Sequence, residues 1–248
     1  MAELDGLFVD FYGTLAAGDH AAVTAVCHRV VDELRLPISA EQLGVAWGNG
    51  YFRLAETCND GHFRTLHQIE GDSLVECVRP YVGRIDPEPY VADLRSWLRA
   101  PPLFHETTAV LAELQRLGIR VCLVSNADHE DLAAALVHTG ITANTVVTSE
   151  LAKSYKPDGG IFRLALECTG WSPDRVIHVG DSLHSDVGGA RAAGLRTIWV
   201  RRRIRIGDIG TAQPDHVVED LWGVLDVVRK YPNLAGIAVS STGEEGVP

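Results

Sequence analysis

The sequence is poor in lysine, has no long apolar run and carries an excess of acid. Only three of its 248 residues are lysine, and 33 acidic residues face 22 basic ones, a formal net charge of −11 at pH 7. Nucleic acids and anionic membrane surfaces attract basic patches, so we expect neither as a partner. No apolar run approaches the roughly 18 residues of a membrane span. The segment MAELDGLFVDFYGTL has acids where a signal peptide has basic residues, so we expect a cytoplasmic protein.

Cysteine is also scarce, and its spacing argues against a disulfide-stabilised protein and against a zinc-binding one. The five cysteines are odd in number and scattered, and none falls in a CxxC or a Cys/His ligand spacing. This usage is typical of small apolar residues in a reducing compartment. The pattern therefore argues against a disulfide framework and against a structural zinc site.

What the sequence does contain begins with one short strand and a long helical block. An apolar run at 7–9 ends at Asp10, which indicates a buried strand followed by a turn. From about residue 19 to 99, apolar residues recur at helical spacing, and Ser39 with Gln42 has the pattern of a capping box. We predict about four helices here and no strand.

Beyond residue 100 the pattern alternates between strands and helices. Five more strands are predicted, within IRVCLVSN, NTVVTS, VIHVGD, RTIWV and DHVV, with helical segments between them. Such alternation indicates βαβ units and a parallel sheet. We therefore predict an α/β protein: a Rossmann-like core of residues 1–15 and 100–232, a helical insertion at 16–99 and a flexible tail at 233–248.

Polar side chains stand where several of the predicted strands end. They are Asp10, Ser125 with Asn126, and Asp181, and a loop carrying Lys156 belongs to the same core. In an open parallel sheet, ligands bind outside the carboxyl ends of the strands. These residues are therefore the candidates for a site.

Four motifs in this order identify a family resemblance. They are DFYGTL at 10–15, VSN at 124–126, Lys156 in SYKPDGG, and GDSLHSD at 180–186. In order and spacing the chain resembles the haloacid dehalogenase-like hydrolase superfamily, and the helical insertion resembles that family's C1 cap. The resemblance implies a cap that closes over the site, with hinges near 16–19 and 100–104.

The resemblance also implies a role for each motif residue. Asp10 would be the nucleophile, and Mg²⁺ would be held by Asp10, Asp181 and the backbone carbonyl of Tyr12. Asp186 would be a further acid, which either binds the metal or contacts the groups that do. Ser125 and Lys156 would bind the transferring group. The candidates for substrate binding are Thr14, Asn126 and Arg53.

Tyr12 departs from the phosphatase pattern, in which a second aspartate two residues after the nucleophile protonates the leaving group. The form DxYGTL resembles the 2-haloacid dehalogenases, which displace halide without Mg²⁺. Those enzymes, however, replace the first acid of the fourth motif, whereas this chain keeps both Asp181 and Asp186. Their cap arginine follows a tryptophan, but here Gly48 follows Trp47.

We therefore favour a Mg²⁺-dependent phosphatase acting on a small organic phosphate monoester through an aspartyl-phosphate. A 2-haloacid dehalogenase and a non-catalytic binding protein of the same fold remain alternatives. In a phosphatase, Tyr12, His62 or His67 could supply the missing proton, or the substrate could have a good leaving group. The sequence leaves the substrate and the oligomeric state open.

Overall fold

The core of the protein is a six-stranded parallel sheet. In a computed structural model, which describes residues 3–17, 19–202 and 211–231, the strand order is β3-β2-β1-β4-β5-β6. The strands are β1 (Gly6–Val9), β2 (Arg120–Ser125), β3 (Thr145–Thr148), β4 (Val176–Gly180), β5 (Arg196–Val200) and β6 (His216–Val218). All six predicted strands are present, and the predicted α/β fold is confirmed. The predicted tail at 233–248 lies outside the described residues.

The strand order places three strand ends side by side. β1 pairs with β2 on one side and with β4 on the other, so the chain reverses direction across the sheet at β1. In such sheets the crevice at the reversal point is where ligands bind. The residues that follow β1, β2 and β4 are therefore neighbours in space.

Four helices follow β1, as predicted. They are α1 (Asp19–Leu34), α2 (Ala40–Thr57), α3 (Leu66–Val82) and α4 (Glu88–Arg99), and we call residues 19–99 the helical insert. Ser39 and Gln42 form the predicted capping box at the start of α2. The four helices share a hydrophobic core, to which Cys27, Leu43, Leu74 and Leu94 each contribute from one helix.

The remaining helices cover both faces of the sheet. They are α5 (Thr107–Arg116), α6 (His129–Thr139), α7 (Ser149–Ala152), α8 (Gly160–Thr169), α9 (Gly189–Ala192) and α10 (Leu221–Val228). Side chains alternate along a strand, so Leu7 and Val9 belong to one hydrophobic cluster and Phe8 to another on the opposite face of the sheet.

Among the helices of the described ranges, none combines the length and apolarity that crossing a membrane requires.

The helical insert is bound to the core through the beginning of α6. The carboxylate of Asp128 accepts the backbone N–H groups of Leu66 and His67, at distances of 2.7 and 3.0 Å. Arg95 of α4 donates two hydrogen bonds, each 2.9 Å long, to the buried carboxylate of Asp131. A bidentate pair of this kind fixes orientation as well as distance.

A buried carboxyl group, that of Glu70, lies at this contact. Its Oε2 atom has no hydrogen-bond partner among the described residues. Burial, with the nearby carboxylates of Asp128 and Asp131, raises the pKa of Glu70 to about 8, although Arg95 opposes the shift. Glu70 is therefore neutral at pH 7 in the folded protein.

Glu70→Gln should remove a pH dependence of stability. Because the pKa of Glu70 rises from an ordinary value of 4.5 to about 8 on folding, the folded protein holds a proton in this range that the unfolded chain has lost. The free energy of unfolding therefore decreases as the pH rises from 4.5 to about 8, by up to about 1.4 kcal/mol per pH unit. Urea unfolding between pH 5 and 9 should show a smaller slope for Glu70→Gln. Glu130→Gln, at an exposed position of α6, is the control, and equal slopes in all three proteins would contradict the assignment.

Candidate active site

The predicted site residues meet at the carboxyl edge of the sheet. Asp10 follows β1, Ser125 ends β2 and Asp181 follows β4. The backbone N–H of Asp10 donates to the carbonyl of Val179 at 2.9 Å, which holds the end of β1 against β4. The three strand ends therefore converge, as the sequence predicts.

Lys156 is the buried cation of this site. Its Nζ donates to Asp10 Oδ1 at 2.7 Å, to Asp186 Oδ1 at 2.6 Å and to the carbonyl of Val124 at 3.0 Å. Burial by itself would lower the pKa of Lys156, but the two carboxylates outweigh it and raise the pKa. Lys156 is therefore charged, and all three of its donors are used.

Asp10 is held in one orientation by three donors. Oδ1 accepts from Lys156 and, at 3.1 Å, from the Ser125 hydroxyl, and Oδ2 accepts from the Thr14 hydroxyl at 3.2 Å. Asp10 is buried, with a relative exposure of 5% for the whole residue. This burial raises the pKa of Asp10, against the opposing effect of Lys156. One lysine therefore does not compensate for the burial of this carboxylate.

Asp186 is the more strongly stabilised carboxylate. Oδ1 accepts from Lys156 and from His178 Nε2 at 2.9 Å, and Oδ2 accepts from the backbone N–H of Ser182 at 3.0 Å. Although burial acts in the opposite direction, Lys156 and His178 hold the pKa of Asp186 well below its usual range. Asp186 is therefore ionised, and His178 must carry its proton on Nε2, because a carboxylate only accepts.

Asp181 completes a group of three carboxylates. One oxygen atom from each of Asp10, Asp181 and Asp186 lies within 4.8 Å of the other two. Two oxygens on opposite sides of Mg²⁺ are about 4.2 Å apart, since each Mg–O distance is about 2.1 Å. Hard oxygen ligands grouped in this way are the donor set that Mg²⁺ prefers, and they could surround one cation if they closed in on it.

A glycine in the first motif allows Asp181 to approach. Gly13 has a φ of +87°, and a Cβ atom built on it would lie 2.6 Å from Asp181 Oδ2. A side chain at this position would therefore strain the backbone and collide with the carboxylate. The indole N–H of Trp199 donates to the backbone carbonyl of Asp181 at 2.9 Å, which holds the loop from the other side.

Asn126 contacts the backbone of Lys156. Its Oδ1 accepts the N–H of Lys156 at 2.8 Å, and its Nδ2 donates to the carbonyl of the same residue at 3.1 Å. The sequence predicts Asn126 as a substrate-binding residue. In the structure the side chain holds the loop that carries the lysine.

Tyr12 and Arg53 have their described contacts elsewhere. The Tyr12 hydroxyl donates to the carbonyl of Leu98 at 2.9 Å, and burial raises the pKa of this phenol above its ordinary value. Arg53 is exposed on α2 and forms an ion pair with Glu76 of α3. The roles predicted for both residues remain predictions.

The two histidines suggested as proton donors also lie in the helical insert. His67 Nε2 lies 2.9 Å from the carboxylate of Glu88, and His62 is exposed. The contact of His67 does not involve Asp10, and no contact between His62 and Asp10 is present among the described residues. The replacement for the missing acid therefore remains a prediction.

His178 is a site residue that the sequence analysis does not single out. It is 1% exposed and lies in β4, two residues before Gly180, so both positions face the same side of the sheet. A Cβ atom at Gly180 would lie 2.2 Å from the carboxylate carbon of Asp186. The available signal was a polar residue in an apolar strand, in register with a glycine of the fourth motif.

Comparison with known proteins finds one family. The model of haloacid dehalogenase-like hydrolases matches residues 4–194. A phosphoserine phosphatase of Thermus thermophilus is 37% identical over 126 residues, which is 50% of this chain and 50% of that protein. The (S)-2-haloacid dehalogenase H-109 of Pseudomonas putida is 25% identical over 91% of this chain and 98% of its own length.

A solved structure agrees in fold. The crystal structure of a dehalogenase superposes with a TM-score of 0.73, at 24% identity, over 92% of this chain and 98% of that one. At this identity the likeness concerns the fold. With the family match over most of the chain, it leads to one conclusion: the protein belongs to the haloacid dehalogenase-like hydrolases.

Proposed function

We propose that the protein is a Mg²⁺-dependent phosphatase that hydrolyses a small organic phosphate monoester. The observation that carries the proposal is the group of three carboxylates, Asp10, Asp181 and Asp186, of which Asp10 and Asp186 share one buried lysine. The choice between a phosphatase and a dehalogenase within the hydrolase family depends on this group of carboxylates.

Charge balance is the physical argument. If all three carboxylates are ionised they carry three negative charges against the one positive charge of Lys156, a net of −2 (−3 + 1) in a largely buried site. A divalent cation would cancel that charge and would reverse the effect of burial on the pKa of Asp10. An ionised Asp10 is required for nucleophilic attack.

The residues of the chain support a two-step displacement. The carboxylate of Asp10 would form a bond to phosphorus while the bond between phosphorus and the ester oxygen breaks, and the departing alkoxide takes up a proton. Water would then attack the aspartyl-phosphate, which releases inorganic phosphate and regenerates Asp10. Ser125 and Lys156, which already contact Asp10, would stabilise the phosphoryl oxygens.

Magnesium would be held by Asp10, Asp181 and Asp186, with the backbone carbonyl of Tyr12 as the further ligand that the family implies. Bound there, the cation supplies neutralisation of charge on the phosphoryl oxygens. Thr14, which donates to Asp10 at 3.2 Å and lies 3.5 Å from Asp181, would keep the two carboxylates together.

The proton for the leaving group limits the choice of substrate. The Tyr12 hydroxyl donates a hydrogen bond to the backbone carbonyl of Leu98, and burial raises its pKa, which makes it a weaker acid than a free tyrosine. A leaving group that departs without full protonation suits this site best. We therefore favour esters of acidic alcohols or phenols.

We also propose that residues 16–99 act as a C1-type cap on a core formed by 1–15 and 100–232. The hydrogen bond from Tyr12 to Leu98 joins the first motif to the end of α4, next to the predicted hinge at 100–104. A cap in this position would exclude bulk water while the aspartyl-phosphate exists.

The second candidate function is 2-haloacid dehalogenation. Tyr12 favours it, as does the similarity to a 2-haloacid dehalogenase over 91% of the chain. Asp10 would then displace halide from carbon, and the reaction would not require Mg²⁺. The two candidates make opposite predictions for metal dependence.

A panel of substrates separates the two candidates. With Mg²⁺ present, the protein should release phosphate from aryl phosphates and be at least about 100-fold slower on alkyl phosphates, since a general acid contributes about 10²–10⁴-fold. EDTA should abolish the activity, and 2-chloropropionate should release no chloride. Chloride release in EDTA without phosphate release would select the dehalogenase.

Asp10→Asn should abolish phosphate release, because an amide is a poor nucleophile. We expect kcat to fall by at least about 10³-fold. The measurement is steady-state hydrolysis of p-nitrophenyl phosphate with saturating Mg²⁺, accompanied by a melting curve to show that the variant folds. Asp226→Asn, at an exposed position of α10, is the matched control and should retain full activity. Retention of activity in Asp10→Asn would refute the nucleophile.

A further inference from the structure

The peptide that carries Lys156 is held from two sides. On the core side, Asn126 pairs with both the N–H and the carbonyl of Lys156, at 2.8 and 3.1 Å. On the other side, Asn59 of the helical insert accepts the N–H of Tyr155 at 2.8 Å through Oδ1. Two asparagines, one from each part of the molecule, therefore hold consecutive residues of one loop.

The orientation of Asn59 is fixed within the insert. Its Nδ2 donates to the carbonyls of Glu56 at 3.1 Å and Ala55 at 3.4 Å, at the end of α2. These contacts need the amide nitrogen, so the oxygen of the same group must face the opposite direction. The Asn59 oxygen is thereby directed at Tyr155.

The side chain of Tyr155 forms a second contact with the same part of the insert. It is 1% exposed, and its hydroxyl donates to the carbonyl of Arg64 at 2.8 Å. Its ring stacks on that of Phe63, with centroids 5.2 Å apart and an angle of 17° between planes. Tyr155 is therefore bound to the insert by both its backbone and its side chain.

We propose that Asn59 is a positioning residue, which sets the place of the Lys156 ammonium group through the backbone of Tyr155. Docking of the helical insert would thereby help to complete the site, because Asn59 holds the residue that precedes the lysine. The inference rests on the proposed role of Lys156 as the partner of the nucleophile Asp10.

The geometry shows why a small displacement matters. Lys156 donates to two carboxylates and a carbonyl at 2.6–3.0 Å, with no donor to spare. A shift of about 1 Å breaks such contacts and can reduce a rate about 100-fold. Asn59 contacts neither the Asp10 nor the Asp186 carboxylate, so its effect on Lys156 would be transmitted through the backbone of Tyr155.

Lysine labelling tests the proposal without depending on activity. The chain has only three lysines, and Lys156 is buried whereas Lys153 and Lys230 are exposed. Mass spectrometry after brief treatment with acetic anhydride gives the rate of acetylation at Lys156 relative to Lys230. Lys230 is the reference because Lys153 lies over the Phe63 ring. In Asn59→Ala the relative rate should rise by roughly 2- to 10-fold, the effect of one lost hydrogen bond.

Two variants separate positioning from a general effect on the insert. Thr57→Ala removes hydrogen bonds to the Arg53 and Leu54 carbonyls at the same end of α2 and should leave the labelling of Lys156 unchanged. Asn59→Asp keeps an acceptor for Tyr155 but loses the donor to the Ala55 and Glu56 carbonyls, so it should restore only part of the protection. Equal labelling in wild type and Asn59→Ala, or an equal increase in Thr57→Ala, would overturn the proposal.

Kinetics provide the second readout. With a phosphate ester and Mg²⁺, Asn59→Ala should lower kcat by about 10-fold or more with a smaller change in KM. Asn59→Asp, which keeps the acceptor but not the donor, should recover part of the activity. Unchanged kcat together with raised labelling would overturn the positioning role. If the wild-type protein hydrolyses no phosphate ester, the proposed function fails, and the labelling experiment still decides whether Asn59 holds Lys156.

Discussion

The contact on which the rest of the site depends is the sharing of one buried ammonium group between two carboxylates. Lys156 Nζ lies 2.7 Å from Asp10 and 2.6 Å from Asp186, and none of the three side chains is more than 7% exposed. A buried charge must be paired. The loops that carry these residues therefore cannot move apart without exposing a charge to solvent or leaving it buried and unpaired. The parallel sheet makes this contact possible, because it brings the ends of β1 and β4 to one edge.

The same contact explains why the site is suited to a cation. Lys156 is fully used by its three acceptors, and Asp186 is further satisfied by His178 and Ser182. Asp10 keeps a raised pKa despite its lysine. The site is thus short of positive charge next to the proposed nucleophile. A divalent metal would supply the missing charge before an anionic phosphate ester binds.

Much of this arrangement follows from sequence pattern, and the rest depends on contacts between distant segments. The six strands and four inserted helices have the spacing of apolar residues that their burial requires. The carboxyl ends of parallel strands lie at one edge of the sheet, which is why Asp10, Ser125 and Asp181 could be predicted as candidates. The role of His178 could not, because it depends on an approach of Asp186 that only a glycine at 180 permits. Asn126 and Asn59 hold Lys156 and Tyr155 across 30 and 96 residues of sequence. Neither pairing has a local signal, and the same holds for the Tyr12 contact with Leu98.

The claim that unites fold and chemistry is that Asp10, Asp181 and Asp186 form a magnesium site balanced by Lys156. Equilibrium binding of Mg²⁺, measured by isothermal titration calorimetry on the wild-type protein and on Asp181→Asn, tests it without any choice of substrate. The wild-type chain should bind one Mg²⁺, and the variant should bind it at least about tenfold more weakly, since loss of a residue that only supports a metal ligand already costs about 10–100-fold. Absence of Mg²⁺ binding to the wild type, or equal affinity in the two proteins, would contradict it.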